Sequence, residues 1–186
     1  MSEAMYLHDP DGNGLELYAD RPRDQWQWRG GQIAMTTEPL NIQSLMSELL
    51  GDPEKWTGIA PGADVGHVHL HVANLERAEA FYGGAVGLEV TQRDYPGALF
   101  MSAGGYHHHI GVNIWARAGA PPPPPDAVGL LAFALVIPEE GTWRAIQARL
   151  KEAGFALEGR REYGFAQNVL VHDPDRIGVE LLLPTD

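Results

Sequence analysis

Short stretches in which apolar and polar residues alternate recur through the second half of the chain, and each predicts a β-strand with one buried face. In GHVHLHV, Val68, Leu70 and Val72 alternate with three histidines. The following LERAEAFYGGAVG has apolar residues at helical spacing after Asn74, which can cap a helix. LEVTQRD, GALFMSAG and HHHIGVNIW then have the pattern of three strands. Residues 66–115 therefore predict a βαβββ unit.

The same order of elements recurs in residues 129–184, at a spacing of about 63 residues. LLAFALVIP predicts a strand, EEGTWRAIQARLKEAG a helix, and FALEGR, NVLVHD and GVELLLP three further strands. A stiff polyproline stretch, GAPPPPPDAVG, connects the two units. We expect an α+β fold in which the paired βαβββ units form a curled, mixed sheet around one cup. Helices 75–84 and 140–153 would lie outside the cup.

A ten-residue motif occurs twice, as HDPDGNGLEL at His8–Leu17 and as HDPDRIGVEL at His172–Leu181, with seven identical positions. Its Asp, Pro and Gly residues favour a turn that leads into a strand. The second copy closes the second unit. The first copy predicts a terminal hairpin within residues 1–20. A linker at 21–64 with one short helix, PLNIQSLMSELLGD, would then lead to a complete module at 65–186.

Composition removes several classes of function. The 25 acidic residues outnumber the 13 basic ones and give a formal charge of −12, which disfavours binding to phosphate backbones. The absence of cysteine excludes disulfides, thiolate zinc sites and a cysteine nucleophile. No apolar run after Met1 is long enough for a signal peptide or a membrane span. We therefore expect a cytoplasmic protein that binds neither nucleic acid nor a membrane.

Histidines concentrate on one face of the predicted sheet. Glu180, in addition, stands in an apolar strand, where a carboxylate is costly to bury without a charge partner or a metal. Two histidines and one carboxylate on facing strands can hold a divalent metal and leave coordination positions open. Such a set suits Fe(II) or Mn(II) and, with other surroundings, Zn(II) or Ni(II). The polar positions expected to share the concave side are His67, His69, His71, His107, His109, Gly111 and Asn113.

The paired units, the opening GHVHLHVANLERAEAFY and the close DPDG-N-G-x-E resemble the vicinal oxygen chelate superfamily, which includes glyoxalases and extradiol dioxygenases. SAGGYHHHIGVNIWA together with MYLHDPDGNGLELYADRPRDQW is similar to bacterial catechol-2,3-dioxygenase-like proteins. Those proteins carry four units in two modules. The resemblance therefore implies that His8–Leu17 closes a unit whose beginning this chain lacks, and that residues 1–20 are the remnant of a first module.

The resemblance also implies ligands. His67 matches the first-strand metal ligand of the family, and both Glu180 and Glu16 match the last-strand glutamate. His109 is a further ligand candidate, and either His108 or His109 matches the acid–base histidine of extradiol enzymes.

The chain departs from the family pattern at Ala132, where extradiol enzymes carry a second histidine ligand. A tyrosine that usually precedes the DP turn is Leu170 here, whereas the first copy keeps Tyr6. Three arrangements follow from these departures. In the first, His109 replaces the missing histidine ligand. In the second, His67, His109 and Glu16 together form the metal site. In the third, the module has lost its metal.

The same residues have simpler explanations as well. The histidine face of the first strand could be a polar surface in contact with water. Glu180 could pair with an arginine such as Arg144 or Arg160 instead of a metal.

Two classes of function remain. The first is a metal-dependent extradiol dioxygenase that opens the ring of a small, catechol-type aromatic substrate. The alternative is a small-molecule binding module of the bleomycin-resistance type, with or without a metal, or a glyoxalase-like isomerase. Since a lone hairpin is marginal in water, we also expect residues 4–18 to add onto a sheet across a homodimer interface. There Glu16 would complete a site with His67 and His109 if the hairpin lay beside the strand of His67.

Overall fold

The computed structural model describes residues 1–51, 56–116, 118–124, 126–158 and 166–185. The chain divides into two compact units, Met1–Gly66 and His67–Asp186. The elements of the first unit are β1 (Ser2–His8), β2 (Gly14–Asp20), a 3-10 turn (Arg23–Gln25), β3 (Trp28–Arg29), β4 (Gln32–Ile33) and α1 (Ile42–Gly51).

The first unit begins with the hairpin that the first HDPD motif predicts. β1 and β2 are antiparallel, with Met5 opposite Leu17 and Leu7 opposite Leu15, so these four apolar side chains share one face. All four are 40–50% exposed in the single chain. In the turn, the Oδ1 atom of Asp9 accepts hydrogen bonds from the backbone N–H groups of two residues further along, at 2.9 and 2.8 Å. The turn is therefore stabilised by hydrogen bonds between residues of the motif itself.

Helix α1 begins where the sequence predicts it. The side chain of Asn41 accepts a hydrogen bond from the backbone N–H of Ser44 at 3.0 Å and so caps the first turn. Three of its apolar residues at helical spacing, Ile42, Leu49 and Leu50, are each more than half exposed in the described part of the chain.

In its described residues, the second unit contains two sheets, a helix that continues into a π-helical segment, and a second helix. One sheet has the strand order β5-β8-β7-β6, and the other has β10-β11-β9. The elements are β5 (Val68–His71), α2 (Leu75–Glu79), a π-helical segment (Ala80–Val86), β6 (Glu89–Gln92), β7 (Ala98–Ser102), β8 (Ile110–Asn113), β9 (Ala132–Val136), α3 (Glu140–Glu152), β10 (Ala166–His172) and β11 (Gly178–Pro184).

Both sheets of the second unit are built by the same rule, which confirms the internal repeat and the α+β fold. The first strand of each half pairs in parallel with the last strand: β5 with β8, and β9 with β11. The last strand pairs antiparallel with the strand before it: β8 with β7, and β11 with β10. Of the strand predicted at 155–160, the structure shows only the bridge between Glu158 and Leu170, and residues 159–165 lie outside the described part of the chain.

One apolar core joins both sheets to both helices. Alternation along the strands turns every second side chain toward the helices, as Leu70, Val112 and Leu181 illustrate, and these residues pack with Phe81 and Leu150. The other side chains of β5, β7, β8 and β11 point away from the core. Polar side chains that could form a binding site therefore lie on the sheet face opposite the helices.

A buried turn fastens the two halves of the second unit together. The second HDPD motif makes the same local turn as the first, with Asp173 Oδ1 accepting from the backbone N–H groups of Asp175 and Ile177 at 2.9 and 2.8 Å. Here, however, Asp173 is buried, and its Oδ2 atom accepts a hydrogen bond from the hydroxyl of Tyr82 at 2.8 Å. Burial raises the pKa of Asp173 and also that of Tyr82. The carboxylate of Asp175 accepts from the backbone N–H of Ala73 at 3.2 Å.

A side chain of α3 provides hydrogen bonds to the backbone carbonyls at the end of the π-helical segment. Arg149 donates hydrogen bonds to the carbonyl oxygens of Ala85 and Val86 at 3.1 and 2.8 Å. Gly87 follows with a φ of 97°, a left-handed conformation that favours glycine. A Cβ atom at Gly87 would lie 2.7 Å from the guanidinium, so a side chain there would also displace Arg149.

Within the described residues, the structure contains no helix whose length and apolar character would suffice to span a membrane.

Candidate metal centre

Strand β5 supplies two histidines to the sheet face that lies opposite the helices. Val68 and Leu70 turn toward the core, so His69 and the adjacent His67, at the start of the strand, turn the other way. The ring centroids of these two histidines are 4.9 Å apart. His67 is partly buried and His69 is exposed. The alternation of the sequence predicted this orientation.

The third histidine of the group is His108, which reaches the first two from the loop before β8. The sequence predicted a strand from His107 onward, but β8 begins only at Ile110, so strict alternation does not apply to residues 107–109. The Nε2 atom of His108 lies 3.1 Å from Nε2 of His69. Its ring centroid lies 4.3 Å from that of His67.

These three imidazoles form a set that could hold a metal ion. One nitrogen of each ring lies within 4.8 Å of the others. Ligand nitrogens about 2.0–2.1 Å from a zinc ion lie roughly 3–3.5 Å from one another, so a small contraction would satisfy the set. His108 is 7% exposed, and burial, aided by the neighbouring His67 and His69, lowers its pKa far below the ordinary range. The ring therefore stays neutral and keeps a lone pair for a metal.

Gly111 makes room for the ring of His69. The two residues are paired across β5 and β8, and a Cβ atom at position 111 would lie 2.8 Å from Nδ1 of His69. Alternation along the sequence predicts that Gly111 lies on the histidine face, but it does not reveal this role. A glycine inside a strand was the available signal, because it often marks a close approach of another group.

His107 lies directly behind His108 and is only 1% exposed. The Nδ1 atoms of the two rings are 2.8 Å apart. The backbone carbonyl of His107 accepts a hydrogen bond from the hydroxyl of Thr91 at 2.6 Å. The ring centroid of His107 lies 4.1 Å from that of Tyr106. Alternation along the sequence predicts that His107 lies on the concave face, but it gives this residue no part in the site.

His109, predicted as both ligand and acid–base residue, follows His108 in the chain but is not a member of the three-histidine group of the described residues. Its backbone carbonyl accepts from the N–H of Val68 at 3.0 Å. Its Nδ1 atom accepts from the backbone N–H of Ala103 at 3.3 Å and lies 3.0 Å from the hydroxyl oxygen of Ser102. A nitrogen that accepts from a backbone N–H carries no proton, so the proton of neutral His109 is on Nε2.

The last histidine of β5, His71, is held apart from the group. Its Nδ1 atom lies 2.7 Å from the side-chain oxygen of Asn113.

Glu180, the predicted carboxylate ligand in the same compact unit as the histidines, is not a member of the three-histidine group that the described residues form. Glu180 is 6% exposed on β11, where the side-chain nitrogen of Asn168 donates a hydrogen bond to it at 3.2 Å. Of its two suggested arginine partners, Arg144 pairs with Glu140 instead, at 2.5 Å, and Arg160 lies outside the described residues. Glu16, on the hairpin of the first compact unit, accepts from the hydroxyl of Tyr6 at 2.8 Å. A metal-binding role of Glu180, Glu16 or His109 stays a prediction.

Aromatic side chains continue from the histidines toward the surface. The ring of Phe100 lies 5.0 Å from that of His108 and 6.1 Å from that of His69. Tyr95 lies 5.9 Å from Phe100, and the exposed Trp115 lies 6.2 Å from Tyr95. Such a row of rings offers stacking and edge contacts to a small aromatic molecule.

Comparison with known proteins adds a family and a relative. Residues 64–181 match the profile of the Glyoxalase/Bleomycin resistance protein/Dioxygenase superfamily. A catechol-2,3-dioxygenase of Bacillus subtilis (strain 168) is 48% identical over 161 residues, which make up 85% of this chain and 55% of that protein. The chain thus spans about half the length of this relative.

Solved structures show the same fold. A glyoxalase/dioxygenase from Nostoc punctiforme covers 72% of the chain and matches over 100% of its own length, with a TM-score of 0.53 at 18% identity. A glyoxylase/bleomycin resistance protein/dioxygenase domain from Frankia sp. EAN1pec covers 66% of the chain and 98% of its own length, with a TM-score of 0.52 at 20% identity.

Proposed function

Because the chain belongs to the glyoxalase/bleomycin resistance protein/dioxygenase superfamily, we propose that it acts as a metal-dependent, ring-cleaving dioxygenase of the extradiol type on small catechol-like aromatic compounds. The observation that carries this proposal is the group of three imidazoles on the open face of the sheet. The 48% identity to a catechol-2,3-dioxygenase supports it, over the half of that relative that the chain spans.

In this proposal the metal is held by His67, His69 and His108. Their nitrogens are close enough to one another, and the buried His108 stays neutral. A bound Fe(II) or Mn(II) would supply a Lewis acid for the two catechol oxygens and for O2. Three protein ligands leave coordination positions open for such a substrate.

The surrounding residues would orient the substrate through ring contacts and a hydrogen bond. Phe100 lies within ring-contact distance of His69 and His108 and would orient an aromatic ring beside them. His109 carries its proton on Nε2, because Nδ1 accepts from the backbone of Ala103. That N–H can donate a hydrogen bond to an oxygen of the substrate and so orient it, whereas acid catalysis by His109 would require the doubly protonated imidazolium.

The test is a combined measurement of metal content and oxygen uptake. The purified protein would be analysed for metals and then loaded separately with Fe(II), Mn(II), Zn(II) or Ni(II) in the absence of air. With Fe(II) or Mn(II) and a panel of substituted catechols, we expect O2 consumption equal to the amount of ring-opened product. Metal binding without O2 uptake would instead favour an isomerase, and tight binding of aromatic compounds by the metal-free protein would favour a binding module.

We also propose that the protein is a homodimer and that a second copy covers the apolar face of the β1–β2 hairpin. Changing Met5→Lys together with Leu17→Glu places opposite charges on a directly opposed pair, so the hairpin is kept while its face becomes polar. We expect wild type to have the mass of a dimer by light scattering and this variant that of a monomer. Tyr6→Gln, on the other face, should stay dimeric. A monomeric wild type, or a dimeric double variant, would argue against this interface.

A further inference from the structure

A chain of three imidazoles runs from the open face into the interior. The Nε2 atoms of His69 and His108 lie 3.1 Å apart, and the Nδ1 atoms of His108 and His107 lie 2.8 Å apart. Both nitrogens of His108 are thus engaged by another imidazole, and each close pair of nitrogens needs one proton between them. Two arrangements satisfy both pairs, and they differ in which nitrogen of His108 carries the proton.

In one arrangement His107 donates to Nδ1 of His108, whose Nε2–H then points at His69. A protonated Nε2 cannot bind a metal. In the other, His108 donates from Nδ1 to Nδ1 of His107, and Nε2 of His108 keeps its lone pair on the side of His67 and His69. The proton between His69 and His108 is then on Nε2 of His69 in the metal-free protein, and because His69 is exposed it can lose this proton to water when a metal binds. Histidines that bind metals through one nitrogen generally donate the other N–H to a fixed acceptor, which sets the tautomer and the ring orientation.

His107 is placed as such an acceptor. It is 1% exposed, its carbonyl is held by the hydroxyl of Thr91 at 2.6 Å, and its ring lies against that of Tyr106. The same hydroxyl also lies 3.2 Å from the carbonyl oxygen of Phe100, which links the loop to β7. His107 therefore has little freedom to move away from His108. An Nδ1–H of His108 without this acceptor would be a buried donor lacking a partner among the described residues.

We infer that His107 is a positioning residue: its Nδ1 accepts the N–H of His108 and thereby presents Nε2 of His108, unprotonated, for coordination. This inference rests on the proposed function, since it concerns the same metal centre. It adds a residue that does not touch the metal and would act on it through His108.

The experiment measures the tautomer first, in the metal-free protein. Nitrogen-15 NMR of histidine-labelled protein at neutral pH should show His108 protonated at Nδ1 and bare at Nε2. In His107→Phe the acceptor is lost, and we expect the proton to move to Nε2. His107→Asn, whose side-chain oxygen can take the place of Nδ1, should restore the wild-type tautomer.

Zn(II) affinity, measured by competition with a chromophoric chelator, provides the second readout. We expect a loss of about 10–100-fold in His107→Phe, the range found when a partner of a metal ligand is removed. His107→Asn should recover most of the loss, and His8→Phe on the hairpin should bind as wild type does. Thermal unfolding of each variant shows whether it is folded at the temperature of the assay.

The outcomes separate this inference from the proposed function. A wild-type His108 protonated at Nε2, or a His107→Phe variant with unchanged tautomer, overturns the inference even if metal binds. If His107→Phe does not fold, the wild-type tautomer and the His107→Asn variant still decide the question. A wild type that shows the expected tautomer but binds no divalent metal would overturn the proposed function and leave the role of His107 in setting the tautomer intact.

Discussion

Replacing His69 or His108 with glutamine should reduce the bound divalent metal from about one ion per chain to a small fraction. Each substitution removes one of three nitrogens that lie within 4.8 Å of one another, and an uncharged amide replaces an imidazole only poorly. The loss in affinity should exceed the roughly 100-fold that removal of a supporting partner can cost. Metal analysis after dialysis, together with chelator competition, measures it.

Three substitutions serve as controls for this experiment. His71→Gln changes another histidine on the same face of β5, one that contacts Asn113, and should leave metal content unchanged. Glu180→Gln and Glu16→Gln change the two carboxylates that the family pattern suggests, and in the proposed arrangement both variants keep their metal. If Glu180→Gln lost the metal while His69→Gln retained it, the ligand set would instead be His67 with Glu180, as the resemblance to extradiol enzymes implies.

Removing the carboxylate of Asp173 should destabilise the protein by about 3 kcal/mol, whereas the same change in the first copy of the motif should have little effect. Asp173→Ala leaves the hydroxyl of Tyr82 and the backbone N–H groups of Asp175 and Ile177 without their acceptor in a buried place. Asp9→Ala removes equivalent turn bonds, but in an exposed hairpin where water can replace the carboxylate.

Urea unfolding compares the two variants, since a lower midpoint with an unchanged slope reports a loss of stability alone. Asp173→Asn is an intermediate case, because its amide oxygen can still accept from both backbone N–H groups. We expect it to lose about 1 kcal/mol or less. Equal midpoints for Asp173→Ala and Asp9→Ala would mean that the contact with Tyr82 contributes nothing to stability.

The regular parts of the fold could be predicted because burial imposes a period on the sequence. Val68 and Leu70 must face the core, so their neighbours His67 and His69 must face away from it, whatever the details of packing. The internal repeat was equally accessible, since both units bury the same pattern of strand and helix. The α+β class and the two outer helices followed from these two features.

The candidate site was harder to predict because its decisive contacts come from loops and from tertiary packing. The alternation of buried and exposed side chains holds only inside a strand, and β8 begins after the three consecutive histidines. The alternation therefore could not show that His108, among these three histidines, joins His67 and His69. The roles of Gly111 and His107 depend on which ring lies over them. Likewise, two copies of one motif have the same local turn, but only the packing around them decides that Asp173 is buried and Asp9 is not.

The bond between Arg149 and the end of the π-helical segment bears on how the second unit folds. The carbonyls of Ala85 and Val86 belong to the first βαβββ repeat, yet their hydrogen-bond donor comes from the second. The last turn of that segment can therefore be complete only after α3 has docked. Because the two repeats also share one core, we expect them to fold as a single cooperative unit, without a populated intermediate in which only one repeat is formed. Amide hydrogen exchange would then slow in both repeats at the same step, late in folding.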